Sequence, residues 1–331
     1  MVKLRKLADI TRIRWRPKVM KISGTEIEVT TNPYNRSAAP IDNEYEYAIP
    51  SLLIKGRWQN KILDYIRKKN IKGLYLNYAK GFQCDSFDFL TQLDDLEMLH
   101  IVYTPVQSLS QIEQLVNLKA LSISCHWKDK LDLSNLGNLQ RCFLGYDKGA
   151  DSIFNCRSLR YLYIDEFKLK SFEQLESLEK LEYLTIGNAS FNEPEITGSL
   201  KKLRKLVFLN CRKLDHLNGL EQLNNLEWLT IDGSKKIESI NELSSLKQLS
   251  VLQLSNNKTI ASLSPIKGLK QLRALCFFGD TVISDGDFEF LEDFDALSMV
   301  GFSGRHHYTH KPARTWSWHD YESKEKAILR K

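Results

Sequence analysis

Four histidines gather at the C-terminal end of the 331-residue chain: His306, His307, His310 and His319, the last followed by Asp320. Imidazole nitrogens and a carboxylate are donors that zinc accepts. Helical zinc sites, however, use two histidines four residues apart beside a general-base glutamate. The H-H-x-x-H run has neither feature. Tyr308, Trp316, Trp318 and Tyr321 surround it, an aromatic content that suits a segment packed over the end of a fold better than a disordered tail. No metal ligand set is assigned, and a tail zinc site is kept only as a minor alternative.

The six cysteines are the other soft donors. Cys142 falls on an apolar strand position and Cys211 just after one, while Cys84, Cys125, Cys156 and Cys276 are scattered with no C-x-x-C pair. A free cysteine packs as a small hydrophobe, so the expectation is a reducing compartment, most simply the cytoplasm. The start of the chain, MVKLRKLADITRIRWRPK, has no apolar run of the signal-peptide kind. No stretch reaches the ~18 apolar residues of a membrane span. Phosphate-binding glycine loops and the nucleophile elbow G-x-S-x-G are missing, and no cysteine sits in a recognisable nucleophile motif. No catalytic residue and no cofactor are expected.

Charge offers a different chemistry. The net charge is +6, concentrated at the two ends. Arg12, Arg14 and Arg16 alternate with Ile13 and Trp15, which would set three guanidiniums on one side of a strand to meet phosphates. Such runs are more often solvated capping faces. Nucleic-acid association through the basic N- and C-terminal segments is therefore the alternative function, not the first.

The elements that must position these residues are read from apolar spacing. Leu214, Leu217, Leu220, Leu223, Leu226 and Leu229 recur every third residue, and the run closes on Ile231. The pattern repeats through Ile237–Leu254 and Ile260–Phe277. A helix needs a mean spacing of about 3.6 and an exposed strand about 2. Spacing by threes that ends in apolar-x-apolar fits a coil with a short strand on one side and a tight return on the other. The first apolar strand residues would be Leu52, Leu74, Leu99, Leu121, Cys142, Leu162, Leu184, Leu206, Leu229, Leu252, Leu275 and Val300. That makes about twelve coils. Residues 57–69 and 86–97, and a stretch from Asp285 or Asp287 to Leu297, read as helical returns; the central returns read as 3₁₀ or irregular turns. The loop position after each strand, which satisfies backbone groups of adjoining coils, would hold Thr104, Asp147, Cys211, Ser234, Asn257 and Asp280. Thr25–Thr31 alternates like a strand, and Val2–Ile13 could line a short helix. The expected organisation is an N-terminal cap over 1–50, the repeat array over 51–304, and a C-terminal cap or tail over 305–331.

The runs KLDHLNGLEQLNNLEWLTID, KIESINELSSLKQLSVLQLSNN and TIASLSPIKGLKQLRALCFFGD resemble bacterial leucine-rich repeats of the short, internalin-like class, in a cytosolic form without an export signal. The resemblance spans roughly residues 52–310. It implies an α/β solenoid, or horseshoe. A parallel sheet would line the concave face, with short helices, 3₁₀ turns or irregular returns on the convex face. It also implies recognition of another macromolecule on the sheet, with no catalytic residues to carry over.

Strand alternation sends the two apolar residues inward and the three flanking residues onto the concave face. Tyr161, Tyr183, Lys205 and Trp228 then form one column, with Phe143 and Tyr163 beside them. Asp165 and Asp232 lie one step on, Tyr146 stands at a strand exit, and Tyr75 and His100 form a second group nearer the N-terminus. Tyrosine and tryptophan dominate interface hot spots, although exposed strand positions favour aromatics in any case. The expectation is a non-catalytic scaffold that captures a protein of basic character on this face. Its specific form is an immunity protein that neutralises a toxin domain by covering its cleft.

Overall fold

The computed structural model describes residues 18–30, 49–103, 105–146 and 150–309. The expected helix over Val2–Ile13, the arginines 12, 14 and 16, Thr104, Asp147, His310 and His319 lie outside the described residues.

The three-residue period has a direct physical origin. Leu220 donates its backbone N–H to the carbonyl of Leu217, Leu223 to Leu220 and Leu226 to Leu223, at 2.9–3.0 Å. Each leucine thus closes a 3₁₀-type turn on the leucine before it, and three residues per turn keeps all of them on the inner side. The same relay runs through Ile240, Leu243, Leu246 and Leu249, then through Leu263, Ile266, Leu269 and Leu272. All of these side chains are buried.

Where each run closes on apolar-x-apolar the chain extends into a strand. The strands are β1 (Lys18–Ile22), β2 (Thr25–Thr30), β3 (Ser51–Lys55), β4 (Gly73–Asn77), β5 (Met98–Val102), β6 (Ala120–Ser124), β7 (Arg141–Gly145) and β8 (Tyr161–Asp165). They continue with β9 (Tyr183–Gly187), β10 (Lys205–Leu209), β11 (Trp228–Asp232), β12 (Val251–Ser255), β13 (Thr259–Ile260), β14 (Ala274–Phe277), β15 (Val282–Ile283) and β16 (Met299–Phe302). Fourteen form one sheet in chain order, and β13 pairs with β15 on the flank. From β3 onward every pair in the large sheet is parallel and in register, with Leu206 opposite Leu229 and Leu229 opposite Leu252. The twelve first-apolar positions read from the sequence are each the second residue of a strand in this ladder. β1 and β2 form an antiparallel hairpin that pairs with β3 and covers its backbone edge.

The returns correct part of the sequence reading. Helix α1 (Lys61–Lys69) forms within the expected 57–69. Residues 86–97 hold only a 3₁₀ turn, Asp88–Gln92, and the stretch before Leu297 holds only Glu289–Asp293. The cause is the same relay: Leu93 donates to Leu90 and Leu96 to Leu93, while Leu291 donates to Phe288. Apolar spacing of three selects the tighter turn even where a helical start signal is present.

The core is one continuous column. Phe167, Phe172, Phe191 and Phe208 interlock at ring distances of 5.5–6.1 Å. At the last described coil Phe277 stacks on Phe302 at 4.7 Å, and the Tyr308 hydroxyl accepts the Ile283 N–H.

Candidate protein-binding face

The residue after each strand sets how the outer face is framed. Glu166, Asn188, Asn210 and Asn256 have φ between 48° and 55°, and Gly233 and Gly279 occupy the same corner at 75° and 65°. Asparagine and glycine tolerate this left-handed conformation. The corner turns the chain sharply off the sheet and aims the asparagine side chains back along its edge. Asn188 Nδ2 donates to Asp165 Oδ1 at 2.7 Å, and Asn256 Nδ2 to Asp232 Oδ1 at 2.8 Å. Both expected carboxylates are therefore held in place by asparagines of the next coil, which nothing in a strand-by-strand reading had singled out.

One step further on, the polar ladder expected at Ser234 and Asn257 is present. Ser234 N–H donates to Asn257 Oδ1 at 2.8 Å, and Asn257 Nδ2 donates to the Ile231 carbonyl at 2.7 Å. Cys211 is buried beneath the Ile186 carbonyl. Asp280 is not part of the ladder. It is exposed and pairs with Lys235, and Thr281 takes the buried position, its Oγ1 accepting the Asn257 N–H at 3.0 Å.

On the outer face, register brings Arg141, Tyr161, Tyr183, Lys205 and Trp228 into one column. The Arg141 guanidinium lies 4.2 Å from the Tyr161 ring centre, and Tyr161 stacks on Tyr183 at 4.5 Å with 8° between planes. Lys205 Nζ lies 4.0 Å from the Trp228 ring centre. In the next column Phe143 stacks on Tyr163 at 4.2 Å. Phe143, Tyr161, Tyr163, Asp165 and Tyr183 are all half-exposed. Burial first, then Asp165, raises the Tyr163 hydroxyl above the ordinary phenol range.

Four of the expected face residues are less available than strand alternation implies. Trp228 is 2% exposed, its indole N–H given to Thr230 Oγ1 at 2.9 Å. Tyr75, packed with Leu53 and Met98, is 3% exposed. Lys205 lies along the Trp228 ring and is buried. Tyr146 turns inward against Phe167 and bonds Asp151 through its hydroxyl, so it belongs to the core. His100 is half-buried beside Tyr75, and loss of solvent holds its imidazole pKa down to about 4.

Cys142, Cys156, Cys211 and Cys276 are buried, and Cys84 and Cys125 are half-buried. Burial pushes the Cys84 and Cys211 thiols up to about 11 and those of Cys156 and Cys276 up to about 12. His307 Nε2 donates to the Ile283 carbonyl. Among the described residues no group of His, Cys, Asp and Glu could hold a metal ion, and no helix is long and apolar enough to cross a membrane.

Parallel strands in register, 3₁₀ returns closed by leucines and a polar ladder at the strand exits define a leucine-rich-repeat solenoid. Residues 161–261 and 185–303 match the BspA type leucine rich repeat region, in six copies. The fold is similar to that of an internalin (InlF) from Listeria monocytogenes, at 21% identity over 78% of this chain and 82% of that one, with a TM-score of 0.55. A leucine-rich-repeat protein of Leptospira interrogans matches at 19% identity over 75% of this chain and 81% of that one, with a TM-score of 0.37. No curated protein matches the sequence. Repeat solenoids of this class generally serve as protein-binding scaffolds, using their extended concave surface.

Proposed function

We propose that the chain captures a protein partner on the middle of its outer sheet, across β7, β8 and β9. The observation that carries this is the half-exposed double stack of Phe143 on Tyr163 and Tyr161 on Tyr183. Stacking fixes the four rings before a partner arrives, so little side-chain freedom is lost on binding. Rigid aromatic area of this kind supplies interface hot spots. Arg141 extends the stack on one side, and Asp165 with Glu166 adds carboxylates at its edge.

The test is affinity capture from lysate with the wild type and the Tyr163→Ala/Tyr183→Ala variant. Two hot-spot losses of about 2 kcal/mol or more reduce affinity by at least ~30-fold even if only one is realised. Lys180→Ala on an exposed return should change nothing. Undiminished capture by the double variant would sink the reading. In its narrower form the partner is a basic toxin domain that the sheet covers, an idea supported by the carboxylates beside the rings. That form requires stoichiometric inhibition of the captured partner's activity, and a partner left fully active in the complex rules it out.

A further inference from the structure

The free space around an outward side chain depends on the residues beside it on the two neighbouring strands. Asp165, the last residue of β8, lies opposite Gly145 of β7. On its other side, one residue past the Ile164–Ile186 pair, stands Gly187 of β9. The carboxylate is therefore flanked by two glycines, and they play different parts. A Cβ on Gly187 would overlap Asp165 Oδ1 and sit 3.4 Å from the Tyr163 hydroxyl oxygen, so that side is filled by the carboxylate itself, leaning over β9. A Cβ on Gly145 would meet nothing within 4 Å. That side is open.

The result is a notch with a charged wall and an aromatic wall. Asp165 Oδ1 accepts the Asn188 side-chain amide at 2.7 Å and the Glu166 backbone N–H at 3.1 Å. Both bonds fall on Oδ1, and Oδ2 carries none among the described residues. The aromatic wall is Tyr163, stacked on Phe143 with 14° between planes, two residues back on the same face. Glu166 adds a second carboxylate at the corner, where its side chain is exposed. The nearby Lys168 pairs with Glu166 at 3.7 Å, not with Asp165. The cations of the outer face, Arg141 and Lys205, are the first residues of their strands, about 13 Å from the exit end.

We propose that the notch beside Asp165 takes one lysine or arginine side chain of the captured protein, and that this contact fixes which way the partner lies across the sheet. The proposal rests on the reading that the partner sits on the stacked rings of β7, β8 and β9. A carboxylate already held in place loses little freedom when a cation arrives. The neighbouring ring suits a lysine stem or a guanidinium plane. An acidic side chain would be repelled by Asp165 and Glu166, and an apolar one would bury Oδ2 without a partner.

The probe is a phage-displayed library of random 15-residue peptides selected on the immobilised full chain. Peptides whose binding falls with Tyr163→Ala/Tyr183→Ala are synthesised and titrated calorimetrically against the wild type and three variants. Asp165→Asn keeps the oxygen that Asn188 and Glu166 bond, yet removes the charge, and should weaken binding about tenfold or more. Gly145→Val fills the notch at a strand position open to a β-branched residue, leaves the charge in place, and should weaken binding to a similar degree. Glu179→Gln, on an exposed return, should change nothing. Replacing the peptide's basic residue by glutamine should cost the same factor in the wild type and nothing in Asp165→Asn. If Asp165→Asn lowers the unfolding midpoint, Gly145→Val decides. Ring-dependent peptides without lysine or arginine overturn the notch and leave the ring reading intact, as does a glutamine cost that persists in full without the Asp165 charge. A library yielding no peptide sensitive to Tyr163 and Tyr183 overturns the ring reading, and the notch with it.

Discussion

Removing the Asn257 side chain should cost far more than removing its neighbour's. Asn257 is fully buried, accepts the Ser234 N–H at 2.8 Å and donates to the Ile231 carbonyl at 2.7 Å. Asn257→Ala leaves both backbone groups without this partner, in a place water does not reach. Each such loss costs about 1–3 kcal/mol, so the variant should be less stable by about 2–6 kcal/mol. Asn256 has an exposed side chain that bonds only Asp232, and its corner is occupied by Gly233 and Gly279 in the flanking coils. Asn256→Gly keeps the backbone conformation and should cost about 0.5 kcal/mol. Asn257→Asp retains the acceptor but loses the donor and buries a charge, so it should be at least as damaging as alanine. Urea unfolding midpoints give the ranking, and hydrogen exchange at the Ser234 amide reports the local opening. If Asn257→Ala falls within about 0.5 kcal/mol of Asn256→Gly, and Ser234 stays protected, the buried ladder does not hold the coils together.

Other perturbations probe separate parts of the fold. Gly219 has φ of 94°, and a Cβ there would sit 2.2 Å from the Ile196 backbone nitrogen. Gly219→Ala should therefore lower the unfolding midpoint well beyond the roughly 1–2 kcal/mol of left-handed strain alone; an effect no larger than that of Gly137→Ala, where the space is open, contradicts the close approach. A double-mutant cycle on Phe143 and Tyr163 should return a coupling of about 0.5–1.5 kcal/mol in stability, and zero coupling means the rings do not stack in solution. His100 has a folded-state pKa of about 4, whereas an unfolded histidine titrates near ~6.5. Between these values the unfolded chain binds more protons, so stability falls as pH drops from about 6.5 toward 4. His100→Gln should flatten that part of the stability–pH curve, and an unchanged slope would remove burial of His100 as its cause.

The sequence by itself determined the coil. Leucines three apart are the residues whose N–H groups close successive 3₁₀ turns, and the apolar-x-apolar pair marks the strand, so twelve strands were legible from spacing. The column of Tyr161 and Tyr183 followed too, because alternation is a property of any strand. Local signals misled where two turn types compete: Asp285 and Asp287 look like helix caps, yet Phe288, Leu291, Phe294 and Leu297 run by threes. Tertiary structure alone decided availability. Trp228 and Tyr183 stand in the same column, but Trp228 is enclosed by Lys205 and the apolar patch beyond it while Tyr183 keeps an open edge. Likewise Thr281, not Asp280, completes the ladder: its hydroxyl reaches the buried Asn257 N–H, while Asp280 stays at the surface with Lys235. Alternation states which way a side chain points; how much surface it keeps depends on the neighbouring coils that pack against it.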